Sequence, residues 1–153
     1  MTNREFLEKE VPLLLDKLTP KAKPIWGIMT AQIMVEHLGP TLIAATLPNH
    51  VTVSTPADRL KKLRERVLSD EPFHKNIKDS NSPAILPPLR FTNMPTAKTK
   101  LLSAIQKFYT HFDQNPTSVT THKYFGDLSF EQWETFQYKH FQHHFKQFGL
   151  IPE

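Results

Sequence analysis

The chain predicts an all-α fold: an up-and-down bundle of four main helices with one long irregular crossover. Three observations carry that expectation. Apolar residues return every three or four positions in four separate segments, which is the spacing of a helix face. Helix start and stop signals bracket those segments. No segment shows a persuasive strand-like alternation. At 153 residues the chain is expected to form one domain over 1–153, long enough to bury a substantial core.

Taken in order, the first helix is expected over Arg4–Leu18, with Phe6, Leu7, Leu14, Leu15 and Leu18 on its apolar side and Pro12 kinking or restarting it. Thr19–Gly27, with two prolines, reads as a loop. A second helix starts near Thr30 as N-cap and places Ile33, Met34, His37, Leu38 and Thr41 on one stripe. Gly39-Pro40 would end it or bend it on its way to Thr46, and Leu47–Ser54 reads as a loop. The third helix opens at Thr55-Pro56-Ala57-Asp58, with Thr55 as N-cap and Pro56 in first helical position, and runs to about Leu68.

Ser69–Pro95 is the irregular crossover. Its prolines forbid a long helix, but Phe73, Ile77, Ile85, Leu86, Leu89 and Phe91 make it too apolar for a free linker, so it should wrap against the body. Thr96–Phe112 is the fourth helix, with Leu101, Ala104, Ile105, Phe108 and Phe112 at core spacing. Asp113–Gly126 reads as a loop. The last helix follows Ser129 and Gln132, a capping box, and ends before Gly149.

Composition narrows the function classes. There are no cysteines, so any metal must be held by nitrogen and oxygen, and any thiol chemistry needs an external thiol. No segment is apolar for long enough to span a membrane. The first residues, MTNREFLEKEV, are charged and lack an apolar signal region, so a cytoplasmic location is expected. The net charge of +4 gives a weak pull toward nucleic acid. The basic cluster at Arg59–Arg66, however, alternates with Leu60 and Leu63 at helical spacing and reads as the solvated face of a surface helix. No nucleic-acid partner is expected.

The last helix holds His140, His143 and His144, three of eight histidines within five residues. His140 and His144 are four apart, so on a helix their Cβ atoms lie about 5–6 Å from each other on one face. They fall on the stripe Trp133, Phe136, His140, His144, Gln147, where core residues would sit, beside an aromatic stripe of Tyr138, Phe141, Phe145 and Phe148. His37 holds an inward position on the second helix. A lone inward histidine is more often hydrogen-bonded within a core than metal-bound. A buried pair shifts that balance, because each imidazole without a partner costs about 1–3 kcal/mol and one metal ion satisfies both. His143 reads as a bystander or an exposed residue. His50, His74 and His111 read as ordinary surface or loop histidines, and His122 as a loop residue near the rim.

Two segments carry a resemblance. Trp26-Gly27-Ile28-Met29-Thr30-Ala31-Gln32-Ile33-Met34-Val35-Glu36-His37-Leu38 is one. The other is His122-Lys123-Tyr124-Phe125-Gly126-Asp127-Leu128 with Glu131, Trp133, the run Lys139–His144 and Gln147-Phe148-Gly149. With Pro72-Phe73 and Pro87–Phe91 between them, they resemble the DinB/YfiT-like superfamily of helix-bundle metalloenzymes, in particular its branch of small bacterial proteins. The resemblance implies a four-helix bundle with a divalent metal held by His37, His140 and His144. Lys123 stands where that family more often has proline, and Gln137 where it often has another histidine, which weakens any role for a base at position 137.

Three imidazoles leave coordination positions open and are compatible with Zn, Ni, Fe or Mn. A bound divalent ion could lower the pKa of a water or of an incoming thiol, and the resemblance implies either option. The expected function is therefore a divalent-metal-dependent enzyme of thiol-transferase or hydrolase type, acting on a small molecule, with an external thiol in the first case. The alternative is a helix-bundle protein that binds metal or a small ligand without turnover. Glu36, Gln137, Tyr138 and Gln147 are candidate polar residues of its pocket, each with an ordinary packing or surface reading. The family it resembles is often dimeric, and the aromatic content suits a homodimer.

Overall fold

The computed structural model describes residues 1–48, 51–75 and 86–153. It is mostly helical. The expectations for His50, Ile77, Pro83 and Ile85 lie outside the described residues.

The first helix, α1 (residues 3–17), is continuous through Pro12 and is built in three pieces. Thr2 and Glu5 close a capping box ahead of Asn3–Glu5, Phe6–Glu10 forms a π turn, and Val11–Lys17 is α-helical. The Val11 N–H reaches back to the Phe6 carbonyl, five residues earlier. A proline lacks an N–H and pushes its ring against the carbonyl four residues back; the wider π turn relieves that crowding without breaking the helix. Leu7, Val11 and Leu15 are buried as a result.

The second helix, α2 (Ala31–Ala44), is capped by Thr30 and also carries a proline, Pro40, in its interior. Pro40 cannot donate to the Glu36 carbonyl, and that freed carbonyl instead accepts the Arg90 guanidinium. The Glu36 carboxylate accepts the backbone N–H of Arg90 at 2.5 Å and of Phe91 at 3.4 Å, and the Gln32 amide at 2.9 Å. The end of the crossover is thus clamped to α2, as its composition predicts. Leu86 and Leu89 nevertheless remain exposed, while Phe73 and Phe91 pack on the core.

The third helix, α3 (Ala57–Leu68), starts two residues after Thr55, whose hydroxyl donates to the Tyr124 carbonyl instead of capping. Its C-terminal end is capped from a distance. Buried Lys139 donates to the carbonyls of Val67 and Ser69 at 2.7 and 2.8 Å, and to that of Arg66 at 3.3 Å. The fourth helix, α4 (Met94–Gln114), starts earlier than the sequence suggested, because Asn93 caps it and Pro95 fits the first turn. It runs antiparallel to α1: Arg4 grips Asp113 with two bonds of 2.8 and 2.9 Å, and Lys98 donates to the Leu18 carbonyl at the other end. Along its length it packs against α2.

The segment expected to be only loop before the last helix contains a hairpin. Strands β1 (Thr120–His122) and β2 (Gly126–Leu128) pair antiparallel, with Thr120 opposite Leu128 and His122 opposite Gly126. Three residues per strand are too short to display an alternation in the sequence, and the pairing is held from outside. Arg64 donates to the carbonyls of Phe125 and Asp127, and the Ser54 N–H to that of Lys123. The cluster that read as a solvated face therefore spends one arginine on a structural latch.

The last helix, α5 (Phe130–Gln147), has the expected capping box of Ser129 and Gln132. At its end the Leu150 N–H bonds to the Phe145 carbonyl and that of Gly149 to Lys146, with Gly149 at φ +67°. This is a Schellman closure, for which glycine is the favoured residue. Both faces of α5 that the sequence singled out are inside: Trp133, Phe141 and Phe145 are fully buried, and Phe136, His140, His144 and Gln147 nearly so. No helix among the described residues is long and apolar enough to cross a membrane.

Candidate metal centre

A polar seam runs between α2 and α5, which lie antiparallel. At one end His37 Nε2 sits 3.0 Å from His140 Nε2. One turn along, the Thr41 hydroxyl donates to Gln137 Oε1 at 3.3 Å. One turn further, Thr120 Oγ1 donates to the Ala45 carbonyl and accepts from the Trp133 indole, both at 2.8 Å. The steps are four residues on α2 and three or four on α5, so helical periodicity itself stacks these polar side chains into rungs.

His144 completes the first rung. One ring nitrogen from each of His37, His140 and His144 lies within 4.8 Å of the others, and His37 lies 4.8 Å from the His144 ring, centre to centre. His140 and His144 are buried, as the stripe on α5 predicts. His37 is not: it is exposed, at the rim, while its neighbours Met34 and Leu38 take the core positions. The inward placement expected for His37 is thereby corrected, and the cluster has one open side.

The protonation states suit lone-pair donation. His144 Nδ1 lies 2.7 Å from Gln147 Oε1, while Gln147 Nε2 donates to the Trp26 carbonyl at 3.0 Å. A carbonyl can only accept, so the amide orientation is fixed; its oxygen must then accept the Nδ1 proton of His144. That leaves Nε2 of His144 as the lone-pair nitrogen. Burial pushes the His144 pKa down to about 3 and that of His140 well below its usual value, with the neighbouring histidines lowering both further. His37 is exposed as a residue, but desolvation of its ring against His140 and His144, followed by the charge of His143, also lowers its pKa. All three are neutral imidazoles near neutral pH.

Without a metal, the 3.0 Å approach of His37 and His140 requires that one Nε2 carry a proton and the other accept it. His140 Nδ1 is buried with no partner among the described residues in either case. Three converging neutral nitrogens, one already held in its ligand tautomer by Gln147, fit a divalent ion.

The surroundings divide cleanly. Phe136 stacks on His140 with ring centres 5.3 Å apart, and Phe73, brought in by the crossover, lies 6.4 Å from the same ring. His143 is half-buried between Trp26 and Phe73 and lines a neighbouring cleft of about 380 Å³ with Lys75 and Lys146, outside the three-nitrogen cluster. Gly27 matters because of Gln147. Its φ is +80°, and a Cβ there would stand 2.9 Å from Gln147 Nε2.

Of the other polar candidates, Glu36 is committed to the crossover, and Tyr138 packs edge-on against Phe6 away from the cluster. Gln137 joins the seam. The reading of His122 as a rim loop residue is overturned. It lies on β1, is 7% exposed, packs against Phe125, Trp133 and Phe136, and accepts the Tyr124 N–H at Nδ1. Burial pushes its pKa down to about 4. Its sequence neighbours give little sign of this, since Lys123 follows it and two of the burying rings, Trp133 and Phe136, come from α5. His74 pairs with Arg66 and His111 with Ser118, as ordinary histidines do.

A family described as a protein of unknown function, DUF1569, matches residues 69–150, just over half of the chain. The matched stretch contains His140 and His144 and stops short of His37. No curated protein and no solved structure matches the chain.

Proposed function

We propose that this chain, which belongs to the DUF1569 family, is a divalent-metal-dependent enzyme whose centre is His37, His140 and His144. The observation that carries the proposal is the convergence of three neutral imidazole nitrogens within 4.8 Å. A divalent ion held by three nitrogens keeps open positions and supplies Lewis acidity that lowers the pKa of a water or thiol. The reaction class is accordingly thiol transfer or hydrolysis of a small molecule, with an external thiol in the first case because the chain has no cysteine.

The protein's own residues have separable tasks in this reading. His140 and His144 form the buried half of the set, and Gln147 holds the His144 tautomer. His37 closes the set at the rim, where substrate enters. Phe136 and Phe73 exclude water from the His140 side. Zn, Ni, Fe and Mn all suit such ligands. The helix packing, with the long crossover between α3 and α4, supports a four-helix bundle of DinB/YfiT-like type. The reading also includes a cytoplasmic location and a homodimer.

A second reading rests on one observation. Glu36, the carboxylate next to His37, is occupied by Arg90, Phe91 and Gln32, so it is not free to move protons. A metal- or small-ligand-binding protein without turnover would tolerate that. Elemental analysis of purified protein, combined with screens for metal-dependent thiol transfer and for ester or amide hydrolysis, separates the two. Metal with turnover that is lost in His140→Ala supports the enzyme. Metal without turnover supports the second reading, and protein that takes up no divalent metal removes the enzyme and leaves of the second reading only its small-ligand form.

A further inference from the structure

The second rung of the seam is incomplete. Gln137 is fully buried, yet among the described residues its Nε2 has no hydrogen-bond partner. Its Oε1 accepts from Thr41, whose hydroxyl also lies 3.4 Å from the Leu38 carbonyl. The Thr120 rung has no such gap, since Thr120 satisfies both the Ala45 carbonyl and the Trp133 indole, whereas in the histidine rung His37 faces His140 Nε2 and His140 Nδ1 also lacks a partner among the described residues. Exchanging the amide's oxygen and nitrogen would only move the gap from one atom to the other. An unpartnered buried amide is destabilising, and a leucine there would avoid the cost.

Position supplies a reason for keeping it. Gln137 precedes His140 by three residues on α5, and its partner Thr41 follows His37 by four on α2. The amide therefore sits one helical turn from two of the three histidines, between the same two helices. A divalent ion with three neutral imidazoles carries a net positive charge and favours an anionic ligand in its open position. Such a ligand presents lone pairs, and an amide N–H is the complementary group.

We propose that the Gln137 Nε2–H donates to an acceptor oxygen of the substrate at the three-histidine centre, and that the substrate class is an oxyanion, with carboxylate the simplest case. The inference rests on the metal reading given above. Gln137 is then a binding residue that selects an oxygen acceptor, and Thr41 is a positioning residue that turns the amide so that its nitrogen faces the ligand.

The test uses the full-length protein loaded with Co²⁺, whose visible absorption reports both occupancy and ligand exchange. Acetate is the oxygen-acceptor probe, and free imidazole is a neutral ligand that offers no oxygen. Wild type is expected to bind one Co²⁺ and to respond saturably to acetate. Gln137→Leu is expected to bind Co²⁺ within about twofold of wild type but acetate about tenfold more weakly, with imidazole unchanged; tenfold is what one lost hydrogen bond to a charged group typically produces. Thr41→Val is expected to lose about threefold for acetate.

A second readout separates binding from a structural role. Gln137→Leu should raise the Tm of the metal-free protein by about 3 °C, because it deletes an unsatisfied amide, whereas a structural glutamine would lower Tm when removed. Acetate affinity equal in wild type and Gln137→Leu overturns the proposal, as does a lowered Tm in the metal-free variant. If Gln137→Leu does not fold, Thr41→Val with wild-type acetate affinity overturns it. Wild type that fails to bind Co²⁺ overturns the metal reading itself, which is recognised separately because no cobalt spectrum develops.

Discussion

Gly27→Ala tests how far the metal centre depends on a loop that touches none of its ligands. Gly27 has φ +80°, and a non-glycine residue in that region costs about 1–2 kcal/mol. The added Cβ would also stand 2.9 Å from Gln147 Nε2, the atom that anchors Gln147 to the Trp26 carbonyl. Gln147 must shift, and with it the oxygen 2.7 Å from His144 Nδ1. Loss of such a supporting bond weakens metal binding by roughly 10–100-fold; because Gln147 is displaced and not deleted, about tenfold is expected. Gly149→Ala is the control. It carries comparable strain at φ +67°, but its Cβ meets only Ile25 Cδ1, at 3.6 Å. Both variants should lose roughly 2–8 °C in Tm at this chain length. In a competition titration of Zn²⁺ against a chromophoric chelator, only Gly27→Ala should lose affinity, with Gly149→Ala within about twofold of wild type. Equal affinities in the two variants would refute the argument that Gly27 acts through Gln147 on His144.

Two other predictions concern stability. His122 titrates at about 4 when folded and near 6.5 when unfolded, so between those values the unfolded chain binds a proton that the folded one refuses. Its contribution is present above about pH 6.5 and is lost as pH falls toward 4, by up to about 3 kcal/mol. Urea unfolding of metal-free protein at stepped pH should show this loss, with a shallower slope for His122→Phe; identical slopes would exclude His122 as a source. Lys139→Met should lower Tm by several degrees, since about 1–3 kcal/mol is lost when the carbonyls at the end of α3 lose their shared donor. Zn²⁺ affinity should stay unchanged in that variant, and a loss of affinity would mean that the cap positions His140.

Much of the three-histidine cluster was legible because α-helices are periodic. Four-residue spacing put His140 and His144 on one face, and the matching stripe on α2 brought in His37. Caps such as Thr30, Ser129 and Gly149 are local signals, and all three stand where the sequence placed them. What escaped depends on distant partners. The β1–β2 hairpin is held by Arg64 and Ser54 from α3 and its approach, and the burial of His122 follows from that hairpin. Pro12 reads as a kink or restart and Gly39-Pro40 as an end or bend, while the π turn and the Arg90 guanidinium that absorb the two prolines are not visible in the pattern. The exposure of His37 also lay outside the pattern, because periodicity gives a face and not how far a neighbouring element covers it.

X-ray absorption at the zinc edge of the Zn²⁺-loaded protein tests the central claim most directly. Three nitrogen scatterers at about 2.0–2.1 Å with imidazole outer-shell features are expected in wild type and in His143→Ala. In His140→Ala the imidazole count should fall, with loss of tight binding. A wild-type spectrum dominated by oxygen ligands, or one unchanged in His140→Ala, would contradict a centre built from His37, His140 and His144.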